Sequence, residues 1–314
     1  MNRSLPLVRL LDRRTRALAR QLAAAVAGKD AGVHQARVAS RRLREALPVL
    51  TKGLHHTKAG KARSKIKKLT AALGTVRELD VTLHLLDELA EQPGIPRTAL
   101  ADVRAEVMEA REDRRAVMLK RLEGVDRAKL GHRLASVRRA VAAGGTESWR
   151  AALAVRIARR ARRLDEAIDS AGRVYNPEGL HRVRIAAKKL RYALEIADET
   201  GAVPCRDAVR SLKRVQDALG RLHDLQVLQH HVAVVGAAPR HRRSTPDAGL
   251  AVLSRLIEDQ CRLLHGRYVA SLPPLRIAVE RGRHDIPVRL SARGRRPRPV
   301  KMALALRRGR AAGG

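Results

Sequence analysis

The chain has 314 residues, 45% of them apolar, so a sizeable core is within reach, yet it contains no Phe, three Tyr and one Trp. A core filled by Leu, Val, Ile and Ala suits close-packed helices and argues against a β-sandwich, which favours aromatic and β-branched residues. The 66 Lys and Arg against 31 Asp and Glu leave a net charge of +35, a balance that selects polyanions as partners: nucleic acid, an anionic membrane surface or a phosphate polymer.

Apolar periodicity and turn residues predict helices in an unbroken series. The first half reads as helices near 4–27, 32–51, 60–91, 97–123 and 127–143, separated by Gly28, Gly53, Pro93-Gly94 and Gly124, with Gly144-Gly145 closing the half. The second half reads as helices near 148–171, 178–200, 205–235 and 247–271, with Asn176-Pro177-Glu178 as a strong helix start. No run shows the period-2 alternation of a strand. From residue 273 to 314 the sequence is rich in Arg, Pro and Gly and is expected to be a basic tail with little order.

The two halves are copies of one another. Residues 33–50 (VHQARVASRRLREALPVL) match 180–197 (LHRVRIAAKKLRYALEIA) at seven of 18 positions, offset by 147. Residues 66–81 (IKKLTAALGTVRELDV) align with 212–227 (LKRVQDALGRLHDLQV) at an offset of 146. The expected architecture is therefore all-α: one helical domain over 1–272, with repeat halves of about 1–145 and 146–272. Each half forms an antiparallel four-helix bundle, and a pseudo-twofold axis relates the two.

On a helical wheel His34, Arg37, Arg41 and Arg44 fall within about 80° of one another, opposite Ala36, Ala39, Leu43, Ala46, Leu47 and Leu50. The second copy does the same with His181, Arg184, Lys188 and Arg191 opposite Leu190, Ala193 and Leu194, while Arg42 and Lys189 flank the stripes at equivalent positions. Like charges one turn apart repel, so two matched stripes without interleaved acids point to an anionic ligand rather than to a solvated face. Arg offers a planar fork for phosphate oxygens. The first helices add Arg9, Arg13, Arg16, Arg156, Arg160 and Arg163 as further candidates, and the third helices add Lys67, Lys68, Lys213 and Arg214. If the twofold brings the stripes together, they line a single groove.

Aromatic platforms for base stacking are too few for a single-strand nucleic-acid reader, and no helix-turn-helix, zinc-finger or RNA-recognition signature occurs. A base-free phosphate polymer fits best. The alternative is a nucleic-acid-binding protein that uses phosphate contacts and the C-terminal tail.

The paired H-x-x-R-x-x-x-R-x-x-R helices, with LGTVRELDV at 73–81 and LGRLHDLQV at 219–227, resemble the conserved histidine α-helical domain (CHAD) family. The resemblance spans roughly 1–272 and implies two four-helix bundles about a basic central cavity, inorganic polyphosphate as partner, and association with polyphosphate granules. It implies that His34, Arg37, Arg41, Arg44, His181, Arg184, Lys188 and Arg191 bind the polymer. Glu78 stands where the family usually has Asp, and Gln226 is a second departure. The acids of these segments are expected to orient basic side chains or cap helices. The E-x-E-x-K motif of the triphosphate tunnel domain carried by some relatives is absent from this sequence.

No catalytic chemistry, cofactor or metal is expected. The twelve His sit among cations or in adjacent pairs such as His55-His56 and His230-His231; His223-Asp224 reads as a local hydrogen-bond pair. No P-loop or Gly-rich phosphate loop is present. Cys205 and Cys261 lack metal spacing and argue for a reducing compartment. Without an apolar leader or membrane-length run, the expected location is cytoplasmic. His34 and His181 are expected to strengthen polymer binding as pH falls through about 6.5.

Overall fold

The computed structural model describes residues 5–27, 30–54, 57–143, 148–238 and 247–292. They form helices α1 (Leu5–Val26), α2 (Asp30–Leu50), α3 (Ala59–Ala90), α4 (Arg97–Glu123), α5 (Arg127–Ala143), α6 (Ser148–Ala171), α7 (Pro177–Glu199), α8 (Arg206–Ala237), α9 (Ala248–Ala270), α10 (Leu272–Arg283) and α11 (Asp285–Ala292), with no strand among the described residues. The expected boundaries agree to within about two residues because the breaks are chemically explicit. The Asn176 side chain accepts from Gly179 N at 3.0 Å and Pro177 opens α7, while Asp247 caps Gly249 N (2.8 Å) and Leu250 N (3.1 Å) of α9. Gly53 and Gly201, which follow the two basic helices, have φ of 79° and 67°, where a Cβ is disfavoured.

Consecutive helices pack against each other in the same order in both halves: α1 on α2, α2 on α3 and α3 on α4, then α6 on α7, α7 on α8 and α8 on α9. A repeated glycine explains how closely the first pair approaches. A Cβ on Gly32 would meet the Ala24 backbone at 2.6 Å, and one on its counterpart Gly179 would meet Ala171 Cα at 3.1 Å. The core is aliphatic as expected, with Leu43, Leu47, Leu73, Leu190, Leu194 and Leu225 fully buried, and Tyr268 the largest side chain that is fully buried. The halves meet through equivalent helices, α2 with α7, α3 with α8 and α4 with α9.

Two expectations change. Residues 273–292 are not part of a tail: α10 packs on α6 and α8, and α11 packs on α6. Leu275, Ala278, Val279, Ile286 and Leu290 are buried, so an apolar face at helical spacing runs beneath the Arg and Pro that dominate the composition. The bundle is also larger than four helices. In the first half α5 lies against α1 and α3, as α10 does against α6 and α8. The remainder of the expected tail, 293–314, lies outside the described residues, as do Gly28, His55, His56, Gly144 and Gly145. Both cysteines are buried free thiols, and among the described residues no helix is long and apolar enough to cross a membrane.

Candidate polyanion-binding site

The contact of α2 with α7 brings the two basic stripes into one half-buried cluster. Arg37 and Arg41 of α2 lie within electrostatic reach of Arg184 and Lys188 of α7. Arg77 of α3 joins them, acting on His34 and Arg37. From α8 comes His223, whose ring lies 5.2 Å from that of His181 and whose Nε2 is 3.8 Å from Glu78 Oε1. The guanidinium of Arg37 lies across Gly74 of α3, its nearest nitrogen 3.7 Å from where a Cβ would stand. Four guanidinia (Arg37, Arg41, Arg77 and Arg184) and the Lys188 amine thus face two carboxylates, Glu78 and Asp224.

Burial and that imbalance together lower the basic groups of the cluster. Burial, followed by Arg184, Arg41, Arg37 and Arg191, pushes the Lys188 ammonium down to about 7. Burial and then Arg41 lower Arg37 to about 10. His34 falls below its ordinary value through burial, then Arg77, Arg37 and Arg41; His181 does so through burial, then His223, Arg184 and Lys188. The acids respond differently. Pairing with His223 holds Glu78 below the usual carboxylate range, with Arg37 and Arg184 assisting. Burial pushes Asp224 up against the pull of Arg184. Arg37 Nε is buried with no hydrogen-bond partner among the described residues, although a buried donor is ordinarily satisfied. The cluster holds more positive charge and more donor capacity than its own residues balance.

Other expected site residues serve the joint between the halves. Arg42 reaches Glu195 across the interface, Nε to Oε2 at 3.1 Å. Arg191 pairs with the same carboxylate, donates to Gln216 Oε1 at 2.8 Å, and stacks 4.9 Å from the centroid of Tyr192. Arg156 (2.9 Å) and Arg160 bind Glu45, whose carboxyl their proximity lowers to about 2 despite its burial. Arg13 and Arg14 both bind Glu199 at 2.8 Å. Lys189 is exposed and contributes its backbone: Arg160 Nη1 donates to Lys189 O at 2.6 Å, as Arg14 Nη1 donates to Arg42 O at 2.8 Å. Arg160 therefore corresponds structurally to Arg14. Arg9, Arg16, Arg163, Lys68, Lys213 and Arg214 are exposed on α1, α6, α3 and α8. Arg44 lines a separate cleft with Arg63 and Lys67.

Sequence reasoning missed Arg77, and it paired His223 locally with Asp224 where the structure pairs it with Glu78 of the other half. A signal existed, because at the offset of 146 Arg77-Glu78 are the repeat counterparts of His223-Asp224. The same offset matches Asp80 with Gln226. Asp80 takes Arg111 of α4 at 2.8 Å, whereas Gln226 donates to the Tyr175 hydroxyl at 3.1 Å. Among the described residues no group of three or more His, Cys, Asp or Glu side chains is placed to hold a metal ion.

Fold and site together define an all-helical, internally duplicated protein with a cationic cluster where its halves meet. The sequence matches the CHAD domain over residues 9–233, and the chain belongs to that family. The fold is similar to a crystal structure of the CHAD domain from the plant Ricinus communis, with a TM-score of 0.57 and 21% identity, covering 88% of this chain and 91% of that one. It is also similar to PptA from Streptomyces chartreusis, with a TM-score of 0.59 and 17% identity, covering 88% of this chain and 99% of that one. No curated protein matches the chain.

Proposed function

We propose that the protein binds inorganic polyphosphate in the cluster formed by Arg37, Arg41, Arg77, Arg184 and Lys188, as a binding module and without chemical conversion of the polymer. The observation that carries this reading is the meeting of two basic helix stripes at the contact of α2 with α7, where Arg37 Nε is buried without a partner among the described residues; the lowered Lys188 ammonium agrees with it. A phosphate chain supplies both what the cluster lacks in negative charge and what it lacks in acceptors. His34 and His181 border the cluster and add donors when protonated. The repeated packing order supports a pseudo-twofold relation between the halves, with the cluster near its axis. Family membership adds weight, since the CHAD family is associated with polyphosphate. Binding of this kind is the means by which the protein attaches to polyphosphate granules within the cytoplasm. The test is Arg37→Glu combined with Arg184→Glu. The double variant keeps its helicity and loses polyphosphate binding; retained affinity in a folded variant moves the site elsewhere.

A further inference from the structure

The central cluster is nearly symmetric, but the surface leading away from it is not. On α2 the stripe continues from Arg41 to Arg44, about 4.5 Å further along the axis. Arg44 opens into a cleft shared with Arg63, Ser64 and Lys67 of α3. Gly60 forms part of its wall, and a Cβ there would meet nothing within 4 Å. Among the described residues no carboxylate pairs with Arg44, Arg63 or Lys67. The acid that shares the cleft, Glu45, is already bound by Arg156 and Arg160, so it leaves little negative charge to repel an anion. Arg63 and Lys67 stand one turn apart and repel one another unless an anion lies between them.

The second half lacks this path. The counterpart of Arg44 is Arg191, whose guanidinium is taken by Gln216 and Glu195. The counterpart of Arg63 is Val209, and Lys213 is left exposed on α8 without them.

We propose that the cleft between α2 and α3 is an exit lane, a secondary site that carries the overhang of a long phosphate chain out of the central cluster over the first half only. This rests on the cluster being the polyphosphate site. A chain that fills the cluster alone never reaches Arg63 and Lys67, whereas a longer one gains two phosphate contacts beyond Arg44. The lane thereby makes affinity depend on chain length and gives the bound polymer a direction.

The experiment compares Arg63→Ala/Lys67→Ala with Lys213→Ala/Arg214→Ala, which removes the same formal charge from the corresponding helix of the second half. Both pairs are exposed, and circular dichroism checks the fold. Affinity for long-chain polyphosphate and for tripolyphosphate is measured across a salt series. The lane predicts that Arg63→Ala/Lys67→Ala lowers the slope of log K against log salt by about 2 for the long chain, one per cation lost, with tripolyphosphate unaffected. The α8 pair then leaves both slopes at the wild-type value. An unchanged long-chain slope in the lane variant overturns the proposal. So does an equal fall in the α8 variant, which means bulk charge, or an equal loss for tripolyphosphate. Failure of the underlying reading looks different: Arg37→Glu/Arg184→Glu then binds both probes like wild type, and the lane falls with it.

Discussion

Replacing Lys188 by Met removes an ammonium that the unliganded cluster holds only half charged at neutral pH, since its pKa is about 7 against an ordinary 10.5. Phosphate oxygens beside it favour the charged form, so binding draws the pKa back towards its ordinary value and takes up a proton. The free protein is neutral at this position above about 7, while the complex stays charged towards 10.5. Affinity is therefore greatest below pH 7 and falls as pH rises through that window, by up to about tenfold, or 1.4 kcal/mol, per pH unit. Neighbouring groups leave the window clear. His34 and His181 are lowered below 6.5 and are neutral throughout it, and Arg37 titrates only near its upper end, at about 10. Burial and neighbouring cations lower both histidines in the free protein, so Lys188 dominates above neutrality. Calorimetric titration of polyphosphate between pH 7.5 and 9, in two buffers of different ionisation enthalpy, reads the slope and the proton uptake together. Wild type shows uptake approaching one proton. Lys188→Met shows a flat profile at weak affinity, and Lys188→Arg a flat profile at high affinity. A flat wild-type profile, or a slope that survives in Lys188→Met, refutes the reasoning.

The same charge makes Lys188 a cost to the empty protein, so Lys188→Met raises Tm at pH 7, by roughly 2 °C for each kcal/mol recovered; scanning calorimetry of the unliganded proteins checks this, and a lower Tm counts against it. Glu45→Gln leaves Arg156 and Arg160 without their shared carboxylate and costs on the order of 3 kcal/mol, read by urea unfolding. Because the Glu45 pKa is depressed from 4.5 to about 2, its contribution is full above pH 4.5 and is lost as pH falls through about 2. The variant's stability deficit should close over that same acid range. Deleting 293–314 leaves the helical core intact and lowers affinity for nucleic acid more than for polyphosphate. Deleting 276–314 strips Ala278, Val279, Ile286 and Leu290 from the core and destabilises the protein by several kcal/mol; equal stability of the two truncations contradicts the packing of α10 and α11.

Much of this arrangement is legible in one dimension because its determinants are local or repeated. The boundaries of α4 and α6 follow from Gly, Pro and apolar spacing alone. Arg37, Arg41, Arg184 and Lys188 stand out because two helices carry the same stripe. Apart from Arg77, whose repeat counterpart His223 was the signal, what escaped has no such signature. Arg42 and Arg191 differ from the cluster residues only in meeting Glu195, and the pairing of Glu45 with Arg160 joins positions 115 residues apart. Nothing in either local sequence announces such pairs, so cations that tie the halves together resemble cations that await a ligand. Residues 273–292 were hidden by their composition: Leu275, Ala278 and Val279 keep helical spacing, but Arg and Pro around them suggest disorder. The pairing of His223 with Glu78 needed the two halves placed face to face.

The central claim is tested most directly by titrating long-chain polyphosphate, duplex DNA and single-stranded RNA, matched in phosphate concentration, against the protein across a salt series. A contact with about 6–10 phosphates held by bulk charge alone loses on the order of 10³–10⁵ in affinity between 50 and 200 mM salt. The account predicts that polyphosphate remains bound in salt that has removed both nucleic acids, because the cluster is assembled before the ligand arrives. If all three dissociate together, the net charge of +35 is acting diffusely, and the cluster is no specific polyphosphate site.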